Sequence, residues 1–138
     1  MTQPTPDDAR PPIAAAVIVK DGRVLLVQRR VKEGSLSWQF PAGEVEPGES
    51  ASEAAVREAH EETGLTVAEA KVLGDRVHPA TGRTMIYVAC DAIEGNARVV
   101  DDEELVDFAW ATRDQLAEYV PYGFFSAVQD YLDETLNA

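Results

Sequence analysis

The sequence predicts a mixed α/β domain with helices packed against a sheet, and three observations carry that prediction. Two nearly continuous apolar runs, Ile13-Ala14-Ala15-Ala16-Val17-Ile18-Val19 and Val24-Leu25-Leu26-Val27, flank an Asp21-Gly22 turn signal. This is the pattern of a hairpin buried on both faces, which needs helices to cover it. A helix starts sharply after Ser50 and ends at Gly64, and a second amphipathic stretch, Phe124 to Leu136, follows near the end of the chain.

Taken in order, Met1 to Pro12 is rich in proline and nearly devoid of apolar residues, so it reads as a mobile tail, with a single domain over 13–138. After the hairpin, Gly, Pro and Ser punctuate the segment from Gly34 to Gly48, leaving Trp38-Gln39-Phe40 as a short strand between loops. Ser50 and Glu53 form a capping box that starts the helix of residues 51–63, and Gly64 supplies the left-handed stop. Leu65 to Leu73 and Thr84 to Cys90 read as strands joined by a loop from Asp75 to Arg83. Leu105 to Trp110 is another strand. Thr112 and Gln115 repeat the capping-box pattern ahead of a short helix, Arg113 to Glu118.

With 138 residues the chain has room for one core, and 45% apolar against 27% charged residues suffices to bury it. The net charge is −13 and it is unevenly placed. Residues 1–40 hold six basic and four acidic side chains, whereas residues 41–138 hold six basic and twenty-one acidic ones. Such a surface repels nucleic-acid phosphates and anionic membranes, so neither is an expected partner. Cys90, the one cysteine, lies in the apolar run Met85 to Cys90 and reads as a small buried hydrophobe. The chain opens without a charged and apolar leader pattern and has no apolar stretch near the roughly 18 residues that span a bilayer. A reducing, cytoplasmic setting is the resulting expectation.

On a helical wheel Glu58, Glu61 and Glu62 gather on one side, related by i, i+3 and i+4, together with Ala51, Ala54, Ala55 and Ala59. Small neighbours let the helix approach the sheet closely and would leave the carboxylates partly shielded from water. Arg57 is the only basic side chain from Gly43 to Leu65; it can pair with Glu53 or Glu61 but cannot neutralise the group. All-oxygen donors on a rigid helix suit Mg²⁺, with Mn²⁺ the other candidate, and the absence of a Cys/His cluster argues against zinc. The competing reading is a solvated acidic helix face.

Gly43, Glu49 and the run Arg57-Glu58-Ala59-His60-Glu61-Glu62-Thr63-Gly64-Leu65 resemble the Nudix box of the Nudix hydrolase family, GX5EX7REUXEEXGU with U a bulky aliphatic residue. Every fixed residue stands at its spacing; Ala59, smaller than the usual aliphatic residue, is the single departure. Gln28-Arg29-Arg30, Trp38 to Gly43 and Glu104 to Trp110 also resemble what the family places around its box, so the likeness spans about residues 13–136.

That resemblance implies an α/β/α sandwich with a loop–helix–loop metal site, and cleavage of the pyrophosphate of a nucleoside diphosphate derivative. It implies Glu58, Glu61 and Glu62 as metal ligands with the Gly43 carbonyl, and Glu58 as the group that orients or deprotonates water. Glu49 and Arg57 would fasten loop to helix, and Glu104, within the acidic run Asp101 to Glu104, is an alternative base. Arg29 and Arg30 are candidate phosphate contacts, with a surface salt bridge as the other reading. Trp38 and Phe40 are candidates for stacking on a base, or else core. His60 and His78 receive no catalytic role.

The short chain, Arg29-Arg30 and Trp38-x-Phe40-Pro41 look like MutT-type (deoxy)nucleoside triphosphate pyrophosphohydrolases, including those acting on oxidised dGTP. The alternative is an ADP-ribose or nucleotide-sugar pyrophosphatase, suggested by Pro41-Ala42-Gly43 and by Pro79 fifteen residues beyond Gly64. A non-catalytic nucleotide sensor is a third reading, weakened by the intact box. A homodimer is compatible with the sequence, which does not specify one.

Overall fold

The computed structural model describes residues 10–31 and 35–138. Strands β1 (Ile13–Lys20) and β2 (Arg23–Arg30) form the expected hairpin, with Val19 opposite Val24 across the Asp21-Gly22 turn. Asp21 and Gly22 both take positive φ, 52° and 74°, which explains why an Asp-Gly pair stands there. Then follow β3 (Leu36–Gln39), β4 (Ala42–Glu44), helix α1 (Ala51–Thr63), β5 (Thr66–Val77), β6 (Thr84–Glu94), β7 (Leu105–Ala111), α2 (Leu116–Tyr119) and α3 (Ser126–Thr135). The strands form one mixed sheet in the order β3-β2-β1-β6-β5, with β4 on β1 and β7 on β2. The β1/β6 pair is parallel and the remaining pairs are antiparallel.

The two-residue period of β1 sorts its apolar side chains into two cores. Ala14, Ala16 and Ile18, joined by Leu25, Val88 and Cys90, face Ala54, Ala55 and Ala59 of α1. Ala15 and Val17, joined by Val24, Leu26 and Phe40, face Leu116 of α2 and Val128 and Leu132 of α3. The sheet is therefore covered on both sides, as its continuous apolar runs required. Alanines on both sides of the first interface let α1 lie close to β1.

Three expectations are corrected. The strand expected to stop at Leu73 runs to Val77, because register shifts at Thr66/Val67, Glu69/Lys71 and Val72/Gly74 let β5 stay paired with β6. Gly74, with φ 155°, absorbs a bulge and does not end the strand, and the loop shrinks to residues 78–83. The last helix begins at Ser126, not Phe124, because Phe124 and Phe125 turn into the second core. The segment expected to be a mobile tail is fastened at its end: the Pro11 carbonyl accepts from Arg83 at 2.8 Å and the Pro12 carbonyl from the Val45 amide at 2.9 Å. Its first nine residues, and Gly34, lie outside the described residues.

Candidate active site

Helix α1 carries the glutamates, and its ends are fixed by local chemistry. Ser50 Oγ accepts from the Glu53 amide at 3.1 Å, Glu53 Oε1 accepts from the Ser50 amide at 2.9 Å, and Gly64 closes the helix at φ 77°. Glu53 is thus committed to the cap, leaving Arg57 to other carboxylates. Arg57 Nε and Nη2 donate to Glu49 at 2.8 and 2.9 Å, Nη1 to Glu58 at 2.7 Å and Glu61 at 3.1 Å, and Nη2 also to the Glu44 carbonyl at 3.0 Å. One guanidinium therefore ties the loop before α1 to two box glutamates. Its hydrogen bonds hold the Glu49 carboxyl well below the usual range, at about 2.

The three clustered carboxylates are shielded to different degrees, which the wheel did not resolve. The Glu62 side chain is 4% exposed, Glu58 13% and Glu61 56%. Burial pushes the Glu62 carboxyl up to about 7, against the opposing charge and hydrogen bond of Arg29, and burial also raises Glu58. Glu62 Oε1 accepts from Arg29 Nη2 at 2.8 Å and from the Ala42 amide at 3.3 Å. Arg29 Nη1 donates to Glu104 Oε2 at 2.7 Å, so one arginine joins α1 to the acidic run before β7.

Arg30 goes elsewhere. Adjacent strand residues point to opposite faces, and Arg30 Nη1 donates to the carbonyls of Asp102 at 2.7 Å and Glu103 at 3.0 Å, so it clamps the backbone of the acidic run. The sequence offered both arginines as phosphate contacts; the structure brings only Arg29 to the carboxylates.

Gly43 is required for space. Its carboxylate neighbour is Glu58, and a Cβ built on residue 43 would overlap that carboxylate directly. Residue 43 is not among the glycines with positive φ, so close approach alone explains the glycine.

Arg29, Gly43, Arg57, Glu58, Glu61 and Glu62 line one cleft of about 1320 Å³ together with Trp38, Phe40 and Glu104. Phe40 is buried and stacks at 5.4 Å on Phe124, while half-buried Trp38 meets Tyr119 edge-on at 4.8 Å. Phe40 is thus a core residue that forms part of the cleft wall. The sequence reading missed Arg76, Arg83, Tyr122 and Phe125, which also line the cleft. For Arg76 and Arg83 the one available signal was their position on either side of the same hairpin turn.

The donor set fits a hard divalent cation in kind. It consists of carboxylate oxygens, two of them on side chains whose pKa burial raises, with one cradled against a glycine that leaves it room. In the present side-chain arrangement arginines provide that charge, and among the described residues no three carboxylates, imidazoles or thiols converge on one point. No helix among the described residues is long and apolar enough to cross a membrane.

The model of the NUDIX domain matches residues 10–129. The chain is 33% identical over 120 residues to the nucleoside triphosphatase NudI of Escherichia coli, a match covering 78% of this chain and 85% of that protein. It is 29% identical over 110 residues to the CTP pyrophosphohydrolase of Escherichia coli K12, covering 78% and 79%. Among solved structures, a NUDIX hydrolase from Nitrosomonas europaea superposes with a TM-score of 0.74 at 24% identity over 92% of this chain and 91% of that one.

Proposed function

The chain belongs to the NUDIX domain family, hydrolases acting on the pyrophosphate bonds of nucleotides, and from that premise we propose that it hydrolyses a (deoxy)nucleoside triphosphate to the monophosphate and pyrophosphate. The observation that carries this reading is the single cleft in which the α1 carboxylates and Arg29 meet an aromatic wall of Trp38, Phe40 and Phe124. One end suits a polyphosphate and the other the flat face of a base. The substrates printed in the names of the two Escherichia coli relatives, a nucleoside triphosphate and CTP, support the same choice.

A magnesium ion, or manganese, would be held by Glu58, Glu61 and Glu62 with the Gly43 carbonyl, and when bound it screens the phosphate charge and polarises the P–O bonds. In this reading Glu58 would orient the attacking water or take its proton, a role supported by the Arg57 hydrogen bond and the close approach of Gly43, which hold its carboxylate from two sides. The water oxygen bonds to phosphorus, the bridging P–O bond breaks, and its electron pair leaves on pyrophosphate. Arg29 would meet the phosphate chain, its guanidinium held in orientation by Glu62 and Glu104. Glu104 is the alternative base, at the same arginine.

Incubation with Mg²⁺ and a panel of dNTPs, 8-oxo-dGTP, ADP-ribose, NADH, diadenosine polyphosphates and CoA, with chromatographic separation of products, tests the reading. Nucleoside monophosphate and pyrophosphate are expected. AMP with ribose 5-phosphate as the dominant products would replace it with the nucleotide-sugar reading, and binding without any turnover would replace it with the sensor reading.

A further inference from the structure

The hairpin of β5 and β6 brings a second set of polar groups to the cleft, far along the chain from the box. Arg76, at the end of β5, lies over the rings of Tyr87 and Phe125, with its guanidinium carbon 5.9 and 5.5 Å from their centroids. Its Nε donates to the Tyr87 hydroxyl at 3.3 Å. Among the described residues no carboxylate lies within ion-pair distance of it, so an arginine sits over two aromatic rings with no hydrogen bond from its Nη donors. Arg83, two residues ahead of Met85, the cross-strand partner of Arg76, is only 7% exposed. Its Nη2 is used by the Pro11 carbonyl and by Glu44 at 2.7 Å, but its Nε is buried with no hydrogen-bond partner.

His78 stands between them in the chain and lines the same cleft. Its Nδ1 accepts from the Ala80 amide at 3.1 Å, which leaves the proton on Nε2 as a donor. Burial first, and then the charge of Arg76, lower its pKa and keep it in that neutral form. Three side chains thus present donors, and among the described residues the one carboxylate touching them is Glu44, on Arg83.

We propose that Arg76, His78 and Arg83 form an anion subsite at the hairpin end of the cleft, which takes a phosphate group of the substrate other than the one under attack. Resting on the triphosphate reading above, the group is the terminal phosphate of the triphosphate chain. A phosphate monoester carried on a ribose has the same chemistry and is separated from it by the choice of substrates below. An arriving phosphate oxygen would satisfy the orphaned Arg83 Nε and accept the bidentate fork of Arg76. This explains why an arginine is stacked in place without an acidic partner, and gives the enzyme a means to distinguish three phosphates from two.

The test pairs kinetics with binding on Arg76→Met, with Arg76→Lys as the conservative variant; Arg83 is avoided because it also fastens Pro11 and Glu44. Arg76→Met is expected to raise KM for the triphosphate ~10-fold or more, the loss of one charged hydrogen-bonded contact, with a much smaller change in kcat and partial rescue by lysine. The ratio of triphosphate to diphosphate kcat/KM should fall by the same factor. Calorimetry with inorganic triphosphate in EDTA should show binding to the unaltered protein weakened similarly in Arg76→Met. Unchanged KM and unchanged triphosphate binding would overturn the subsite, whatever the substrate. If CoA is cleaved in preference to any triphosphate and Arg76→Met raises its KM, the triphosphate reading fails while the subsite stands on a ribose phosphate. If triphosphates are cleaved and Arg76→Met matches the parent, the subsite fails alone.

Discussion

The Glu58 carboxylate occupies the space in which a side chain on Gly43 would begin. Residue 43 sits on β4, paired with Ala14 of β1, and Glu58 on α1, so one missing Cβ sets how closely helix and strand present their polar atoms.

Gly43→Ala therefore forces either Glu58 or β4 to move. Because the atoms met are the end of the flexible Glu58 side chain, the stability cost should stay at or below ~1 kcal/mol, the low end for overpacking, while hydrolysis should drop because Glu58 is displaced. Removing the carboxylate first should remove the clash: in a Glu58→Ala background the added methyl should cost a small fraction of that. Denaturant midpoints for the four proteins of the cycle check this, and an equal penalty in both backgrounds would refute the contact.

The alternation of β2 makes a sharper distinction between two neighbouring arginines than their sequence does. Arg29→Met leaves the buried Glu62 without its cation and should destabilise the protein by ~3 kcal/mol at pH 8, with loss of activity. Arg30→Met removes bonds to exposed loop carbonyls and should cost ~1 kcal/mol or less. Urea unfolding and initial rates on both variants decide it; equal effects would contradict the assignment of opposite faces.

Much of this arrangement was legible in the sequence where a local rule acts alone. Helix α1 needs only its capping box and Gly64, and the two-faced burial of β1 and β2 follows from their unbroken apolar runs. The box spacing placed Glu58, Glu61, Glu62, Glu49 and Arg57 on one helix and its loop, where the structure also has them. What escaped depends on pairing between distant segments. The β5 bulges are decided by register with β6, so the local pattern ends the strand at Leu73. The choice between Arg29 and Arg30 depends on which face of β2 meets α1. Arg76 and Arg83 become neighbours of the cleft only through the hairpin, and no local pattern marks an arginine that will stack on Tyr87 and Phe125.

Cys90 offers a test of the core that is independent of catalysis. The thiol is fully buried, and burial, with smaller contributions from Asp91 and Glu69, pushes its pKa up to about 12 from an ordinary 9.0. Between these values the unfolded chain loses the proton and the folded one keeps it, so stability is intact below pH 9 and falls as pH rises toward 12. Cys90→Ala should lose ~1 kcal/mol at pH 7 from the smaller side chain yet show a shallower decline above pH 9. Parallel slopes for the two proteins would contradict the burial, as would rapid alkylation of the native thiol at pH 8.

Glu62 separates the cost of holding a charge from its use. The carboxylate is nearly excluded from water and its pKa is raised, so in metal-free protein its ionised form opposes folding at pH 8. Glu62→Gln keeps the acceptor for the Ala42 amide and removes that charge, so the fold should be retained with metal-free Tm equal to or above the parent's. The same change should lower kcat by ~10²-fold or more, since an anionic ligand for the divalent ion would be lost. Added Mg²⁺ should raise the Tm of the parent by mass action and that of Glu62→Gln much less. Calorimetric scans with EDTA and with Mg²⁺, beside steady-state rates, read all three quantities. A variant with near-normal kcat and an undiminished Mg²⁺ shift would remove Glu62 from the metal-binding set.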